Sequence, residues 1–179
     1  MLNKYKLQLV TAVLLLATVT AFAEEGVKYD ASDLYRAKEV DVDVFGTAAV
    51  GKYTIDHLSG NRLRHNSRLG AGMGVSYFFN RNVGISGDAY SENTSHSFVD
   101  SASANLVVRF PLGTSGFSPY VFGGGGYQFD AVETAFVQAG AGIEYRFNPH
   151  VGMFVDARGV LPDKTKYFGV GRLGMRFAF

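Results

Sequence analysis

From residue 39 to its last residue the chain alternates with period two, and nearly every ionisable side chain inside that repeat falls on the same phase. Successive side chains of a strand point to opposite faces, so one face of every segment collects the charges and the other stays apolar. In residues 39–53, Val40, Val42, Val44, Ala48 and Val50 oppose Asp41, Asp43, Phe45 and Thr47. The same reading over 69–79, 83–90, 102–110, 119–129, 137–147, 151–161 and 167–179 brings the number of strands to eight. Asp41, Asp43, Arg68, Asp88, Arg109, Glu144, Arg146, Asp156, Arg158, Arg172 and Arg176 all oppose the apolar residues of their segments. Lys52 alone falls on the apolar phase, at a strand end where a long side chain can reach a polar boundary. Such a chain folds in one of two ways: with apolar residues inside and charges in water, or with charges inside and apolar residues in lipid.

Period alone does not choose between them. A charge at the bilayer midplane costs about 2 to 4 kcal/mol, whereas an interior can pair it, so strict parity is what a membrane barrel requires. The apolar phase also ends in aromatics: Tyr77, Phe79, Phe110, Tyr127, Phe129, Tyr145, Phe147, Phe177 and Phe179. Aromatic rings at strand ends suit the two membrane–water boundaries. No apolar run beyond the amino terminus approaches the length a membrane helix needs, which leaves strands as the means of crossing.

The amino terminus places the chain outside the cytoplasm. Lys4 and Lys6 precede an apolar run over 7–19, and Ala21-Phe22-Ala23 is a small-x-small cleavage pattern. Residues 1–23 are therefore expected to be a signal peptide cleaved after Ala23, with 24–38 a periplasmic lead-in and 39–179 the barrel. Asp30 and Asp33 precede Leu34, Tyr35 and Ala37 as a capped turn or two of helix. Without residues 1–23 the chain keeps 15 basic and 16 acidic side chains, a net charge of −1, which gives nucleic acid no basic surface. There is no cysteine for a disulfide or a lipid anchor.

Several motifs carry no chemistry in this setting. Gly169-Val-Gly171-Arg-Leu-Gly174 fits a dinucleotide fingerprint but lies in the last strand with no helix after it, and Gly123 to Gly126 lack the Lys-Ser/Thr of a phosphate loop. His57, His65 and His96 have no metal-ligand spacing. His65-Asn-Ser67 and His96-Ser97 contain hydrolase residue types without an acid partner. No catalytic residue, cofactor or metal is expected.

An eight-stranded barrel is just wide enough for side chains to fill. The inward charges should form a salt-bridged plug, with Arg172 and Arg176 meeting Asp41 and Asp43 where the last strand closes on the first. The glycines read as relief of crowding in so small a barrel.

The last strand, Tyr167-Phe-Gly-Val-Gly-Arg-Leu-Gly-Met-Arg-Phe-Ala-Phe179, puts Leu173, Met175, Phe177 and Phe179 on one face. It resembles the closing strand of bacterial outer-membrane β-barrels, and with Pro119-Tyr-Val-Phe-Gly-Gly-Gly-Gly-Tyr127 and Gly140-Ala-Gly-Ile-Glu-Tyr-Arg-Phe147 it resembles the OmpA-like superfamily over residues 40–179. The resemblance implies an all-β, eight-stranded antiparallel up-and-down transmembrane β-barrel in the outer membrane. It implies outer-membrane lipids as surroundings, the barrel-assembly machinery as reader of the terminal residues, and a monomer. The wall-binding domain of full-length members is not expected, since the repeat runs to the last residue. Outer loops at 130–133 and 162–166 are too short for large adhesive structures. The function expected is a structural or surface-interaction role without catalysis, with 55–66 as the main contact loop. A narrow passive channel and a lipid A-modifying hydrolase are the alternatives.

Overall fold

Backbone amides and carbonyls left open in lipid have no water to bond, so a membrane-crossing sheet must close on itself. The computed structural model of the chain, which describes residues 29–51, 54–55, 62–63, 68–92, 99–129, 133–164 and 167–179, meets that requirement. After a four-residue helix α1 (Ala31–Leu34) come β1 (Glu39–Val50), β2 (Thr54–Ile55), β3 (Arg62–Leu63), β4 (Arg68–Phe78), β5 (Val83–Ser91) and β6 (Ser101–Arg109). Then follow β7 (Phe117–Gln128), β8 (Thr134–Asn148), β9 (Val151–Pro162) and β10 (Phe168–Ala178). Eight of these form a closed barrel in the order β1-β10-β9-β8-β7-β6-β5-β4, while β2 and β3 pair only with each other. Every barrel pairing is antiparallel. The β1–β10 ladder reaches the last residue, where Phe179 N donates to Val40 O at 2.9 Å.

Burial decides between the two ways of folding. Leu69, Met73 and Val137 are 61%, 62% and 60% exposed, whereas Arg109 and Glu144 are 0% exposed. The apolar phase of each strand thus faces outward and the charged phase faces the lumen, which is the arrangement of a membrane barrel rather than a water-soluble one.

The connections at 79–82, 110–116 and 149–150 lie at the end where β1 starts and β10 finishes, here the turn end; 51–67, 92–100, 129–133 and 163–167 lie at the loop end. Strand limits follow local chemistry. β1 stops at Val50, before Gly51 with φ 85°, short of the expected 53; residues 52–53 lie outside the described residues. The turn expected over 111–118 is tighter, because Leu112 N bonds Phe117 O at 2.9 Å and Gly113 and Gly116 take φ 53° and 73°. Ser118 is consequently a strand residue and fully buried.

Outward aromatics cluster at the turn end, where Tyr77–Phe79, Phe117–Tyr145 and Tyr145–Phe147 have ring centroids 5.3, 4.7 and 5.2 Å apart. At the loop end the Tyr127–Phe129 pair lies 5.3 Å apart.

The lumen is more aromatic than charge parity alone foretold. Phe45, Phe78, Tyr90, Val107, Tyr120, Phe122 and Phe154 form one buried cluster inside the charged zone, and Ala49, Phe136, Val160, Phe168 and Val170 form a second towards the loop end. Inward glycines make this possible. A Cβ on Gly140 would lie 2.5 Å from Phe122, one on Gly142 2.7 Å from Tyr120, and one on Gly126 2.6 Å from Phe136. Each of these rings occupies the space a neighbouring strand leaves by having no side chain.

Candidate functional site

The interior of the barrel is where polar chemistry is concentrated among the described residues, and the inward phase of the strands builds it. At the turn end Glu39, the first residue of β1, accepts from Arg109 Nη1 at 2.8 Å and Arg146 Nη2 at 3.0 Å. Arg109 also donates to the carbonyls of Arg81 at 2.7 Å and Arg36 at 3.1 Å, and its guanidinium lies 3.6 Å from the Phe78 ring centroid. Arg146 reaches Asp41 at 3.2 Å and bonds Glu144 two residues before it. Sharing these acids among several guanidiniums satisfies charges that would otherwise be costly to remove from water.

One level further in, Arg176 holds Asp43 with two parallel bonds of 2.8 and 2.7 Å and donates to Glu144 at 2.5 Å. This pair is set by register, since Asp43 lies directly opposite Arg176. Arg172 departs from expectation. Its direct neighbour on β1 is Thr47, so it turns instead to β9, where Asp156 is opposite. There it makes a two-bond pair of 2.9 and 2.6 Å and approaches Asp88 at 3.3 Å. Tyr120 Oη donates to Asp156 at 2.7 Å, and Arg158 joins Asp88 at 3.2 Å and Gln138 at 3.1 Å. Gln138 passes the network on to Asn105 at 2.7 Å and Ser103 at 2.9 Å. Arg68 is half-buried at the loop-end start of β4, on the inward phase but at the opposite end of its strand from Glu39's partner Phe78.

Among the described residues the charges leave little space between them. A void of about 10 Å³ lies among Asp43, Asp88, Tyr120, Arg172 and Arg176, the space of a single water molecule at most. Above the charges the apolar cluster of Phe136, Val160, Phe168 and Val170 fills the β8–β10 side of the loop end.

The turn end carries a feature that period-two reading has no means to find. Asp30 caps α1 by accepting from Ala31 N at 2.7 Å, while Asp33 returns a bond to Asp30 N at 3.3 Å. The chain then enters the barrel mouth: Tyr35 is fully buried, donates its hydroxyl to Gly116 O at 2.6 Å, and lies 5.0 and 5.2 Å from the guanidinium carbons of Arg109 and Arg146. Burial, with the Glu144 carboxylate nearby, pushes the Tyr35 hydroxyl well above the usual tyrosine range, so it remains a hydrogen-bond donor. Glu39, by contrast, was available to parity reasoning, since it shares the phase of Asp41 and Asp43.

Leu173 is 54% and Phe179 71% exposed on the outer face, with Met175 and Phe177 half-exposed between them. Among the described residues no group of three or more His, Cys, Asp or Glu could hold a metal ion. Lys52, His57, His65, Ser67, His96 and Ser97 lie outside the described residues.

A family model described as outer membrane protein beta-barrel domain matches residues 9–172. No curated protein sequence matches the chain. Among solved structures, the N-terminal beta-barrel domain of Pseudomonas aeruginosa OprF is 19% identical, with 80% of this chain and 99% of that one covered at a TM-score of 0.60. Neisserial surface protein A is 15% identical, covering 78% and 97% at a TM-score of 0.55. Ail, the attachment invasion locus protein of Yersinia pestis solved with the heparin analogue sucrose octasulfate, is 17% identical, covering 80% and 99% at a TM-score of 0.53. At these identities the likeness is one of fold.

Proposed function

Because the chain belongs to the outer membrane protein β-barrel domain family, we propose that it works as a non-enzymatic barrel of the outer membrane, with a sealed lumen and a loop end that makes the external contacts. The observation that carries this reading is the filled interior. Paired guanidiniums and carboxylates occupy the turn half, an apolar cluster lies above them, and the void between is about 10 Å³. Ions need a hydrated path, and side chains paired with one another across the lumen occupy the space that such a path would take. A passive channel is therefore the weaker reading. Pure protein in planar bilayers should show no unitary conductance; stable, reproducible steps would replace this proposal with the channel.

The contact surface follows from the loops. Short turns face the periplasm and longer loops the exterior in barrels of this kind, which puts 51–67 outside. It is the longest connection and carries Lys52, Arg62 and Arg64 against a single acid, Asp56, so it favours anionic surface partners. Shortening 55–66 should abolish binding to a cell surface or purified partner while the barrel still folds. The surroundings proposed are outer-membrane lipids, with the barrel monomeric and delivered by the barrel-assembly machinery after cleavage behind Ala23, a point that amino-terminal sequencing of the membrane-extracted protein checks. Against catalysis, Ser67→Ala and Ser97→Ala variants should leave lipid A profiles unchanged.

A further inference from the structure

We propose that residues 30–38 are a detachable stopper for the turn-end mouth, which closes over the Arg109–Arg146–Glu39 cluster and can lift from it while the barrel stays folded. Three observations carry this.

The segment is seated in the mouth without belonging to the wall. It contributes no strand to the barrel, whose ladder begins at Glu39 and is complete without it. Its hold on the barrel includes side-chain and end contacts: Tyr35 Oη on Gly116 O at 2.6 Å, the two guanidiniums beside the Tyr35 ring, Arg109 Nη2 on Arg36 O at 3.1 Å, and Arg36 N on Glu39 Oε2 at 3.2 Å. Ala31 and Leu34 are buried, 5% and 3% exposed.

The chain reaches this seat through a reversal. Lys38 takes φ 57°, a left-handed conformation that a residue with a side chain adopts at a cost. Had the extended backbone of β1 continued through Lys38, the segment would have left the rim along the strand instead of folding back across it. The turn at Lys38 is thus a hinge between two directions of the chain.

The seat is also imperfect. Among the described residues Arg36 Nε and Nη2 make no hydrogen bond, and Nε stands 3.8 Å from the Glu39 carboxylate in a loose ion pair whose arginine side chain is 39% exposed. Lifting the segment returns those donors to water and relaxes Lys38, which offsets part of what the Tyr35 contacts contribute. A closure held by a few good contacts and opposed by a strained hinge and two unmet donors is built to open.

The absence of cysteine makes a clean test. Ala31→Cys places a single thiol on the segment, to be labelled with a membrane-impermeant maleimide in detergent-extracted, folded protein, scored only on the heat-modifiable band. Arg109 and Arg146 report access to the cluster through p-hydroxyphenylglyoxal modification read by peptide mass spectrometry, with Arg172, deeper in the lumen, as the control. Lys38→Pro forbids the left-handed φ, Lys38→Gly permits it, and Tyr35→Ala removes the anchor. In the Ala31→Cys parent and with Lys38→Gly added, the introduced thiol, Arg109 and Arg146 should be protected. With Lys38→Pro or Tyr35→Ala added, the thiol should label at least tenfold faster and both arginines should become reactive, while Arg172 stays protected. The proposal is overturned by fast thiol labelling in the parent. It is equally overturned if the thiol is released but both arginines stay protected, or if neither variant releases the thiol, since the segment would then be decoration in the first case and fixed wall in the second.

Discussion

Glu144 shows what a single residue does in this lumen. It bonds Arg146 and accepts from Arg176 at 2.5 Å, and it is fully buried, so its loss would strand two guanidiniums in a low-dielectric interior. Glu144→Ala should destabilise the barrel by about 3 to 5 kcal/mol, the cost of breaking a buried ion pair from one side. The urea midpoint of the heat-modifiable band measures it, and an unchanged midpoint would mean that the network is solvated. The neighbouring glycines make a paired prediction. A Cβ on Gly124 would lie 2.0 Å from the Ala104 carbonyl oxygen and 2.7 Å from Asn105 Cα, both backbone atoms that cannot step aside, whereas on Gly123 the nearest atom is 3.7 Å away. Gly124→Ala should cost about 1 to 3 kcal/mol, and Gly123→Ala should stay within about 0.5 kcal/mol of the parent. Gly123 to Gly126, which look like one motif in the sequence, are thus two residues with a packing requirement alternating with two that face outward.

At the scale of the element, β10 is the strand on which closure depends. It pairs with β9 on one side and β1 on the other, and Phe179 extends the second ladder with bonds to Val40 in both directions, 2.9 and 3.4 Å. The resemblance of its ending to an assembly signal predicts a split between two settings. Deleting Phe179 should reduce the folded, membrane-inserted fraction in cells several-fold, while the same protein refolded into detergent in vitro should keep its boiling-dependent gel shift, because the strand loses only its final rung. Equal loss in both settings would make Phe179 a structural residue rather than a recognised one. α1 and the turn at Lys38 behave differently from the strands: their sequence shows a cap and a few apolar residues, but their position depends on a carbonyl at Gly116 and guanidiniums at 109 and 146.

For the whole molecule the outer surface is the membrane's concern and the inner surface the chain's own. Unboiled protein extracted from membranes should migrate differently from boiled protein, as a closed barrel that resists unfolding in detergent does, and cysteines introduced in 55–66 should label from outside intact cells. Labelling only after permeabilisation would invert the orientation. Much of this architecture was legible beforehand, because period and parity are properties of neighbouring residues: they assign each side chain to a face before any partner is known, and the aromatic ends, the amino-terminal signal and the terminal Phe179 favour lipid on the apolar side. Strand number, the inward placement of Asp41, Asp43 or Arg176, and the outward aromatics all belong to that local information. Which acid meets which arginine does not. Arg146 reaches Asp41 across 105 residues of chain and Arg176 reaches Asp43 across 133, pairings that need the closed sheet, while Arg172 meets Asp156 rather than the acids of β1 because the β9–β10 register sets them opposite. The sequence by itself determined the two faces and the repeat that builds the wall; strand register and closure of the sheet decided the pairing of its charges and the seat of Tyr35 in its mouth, because only a closed cylinder brings the first and last strands within hydrogen-bonding distance.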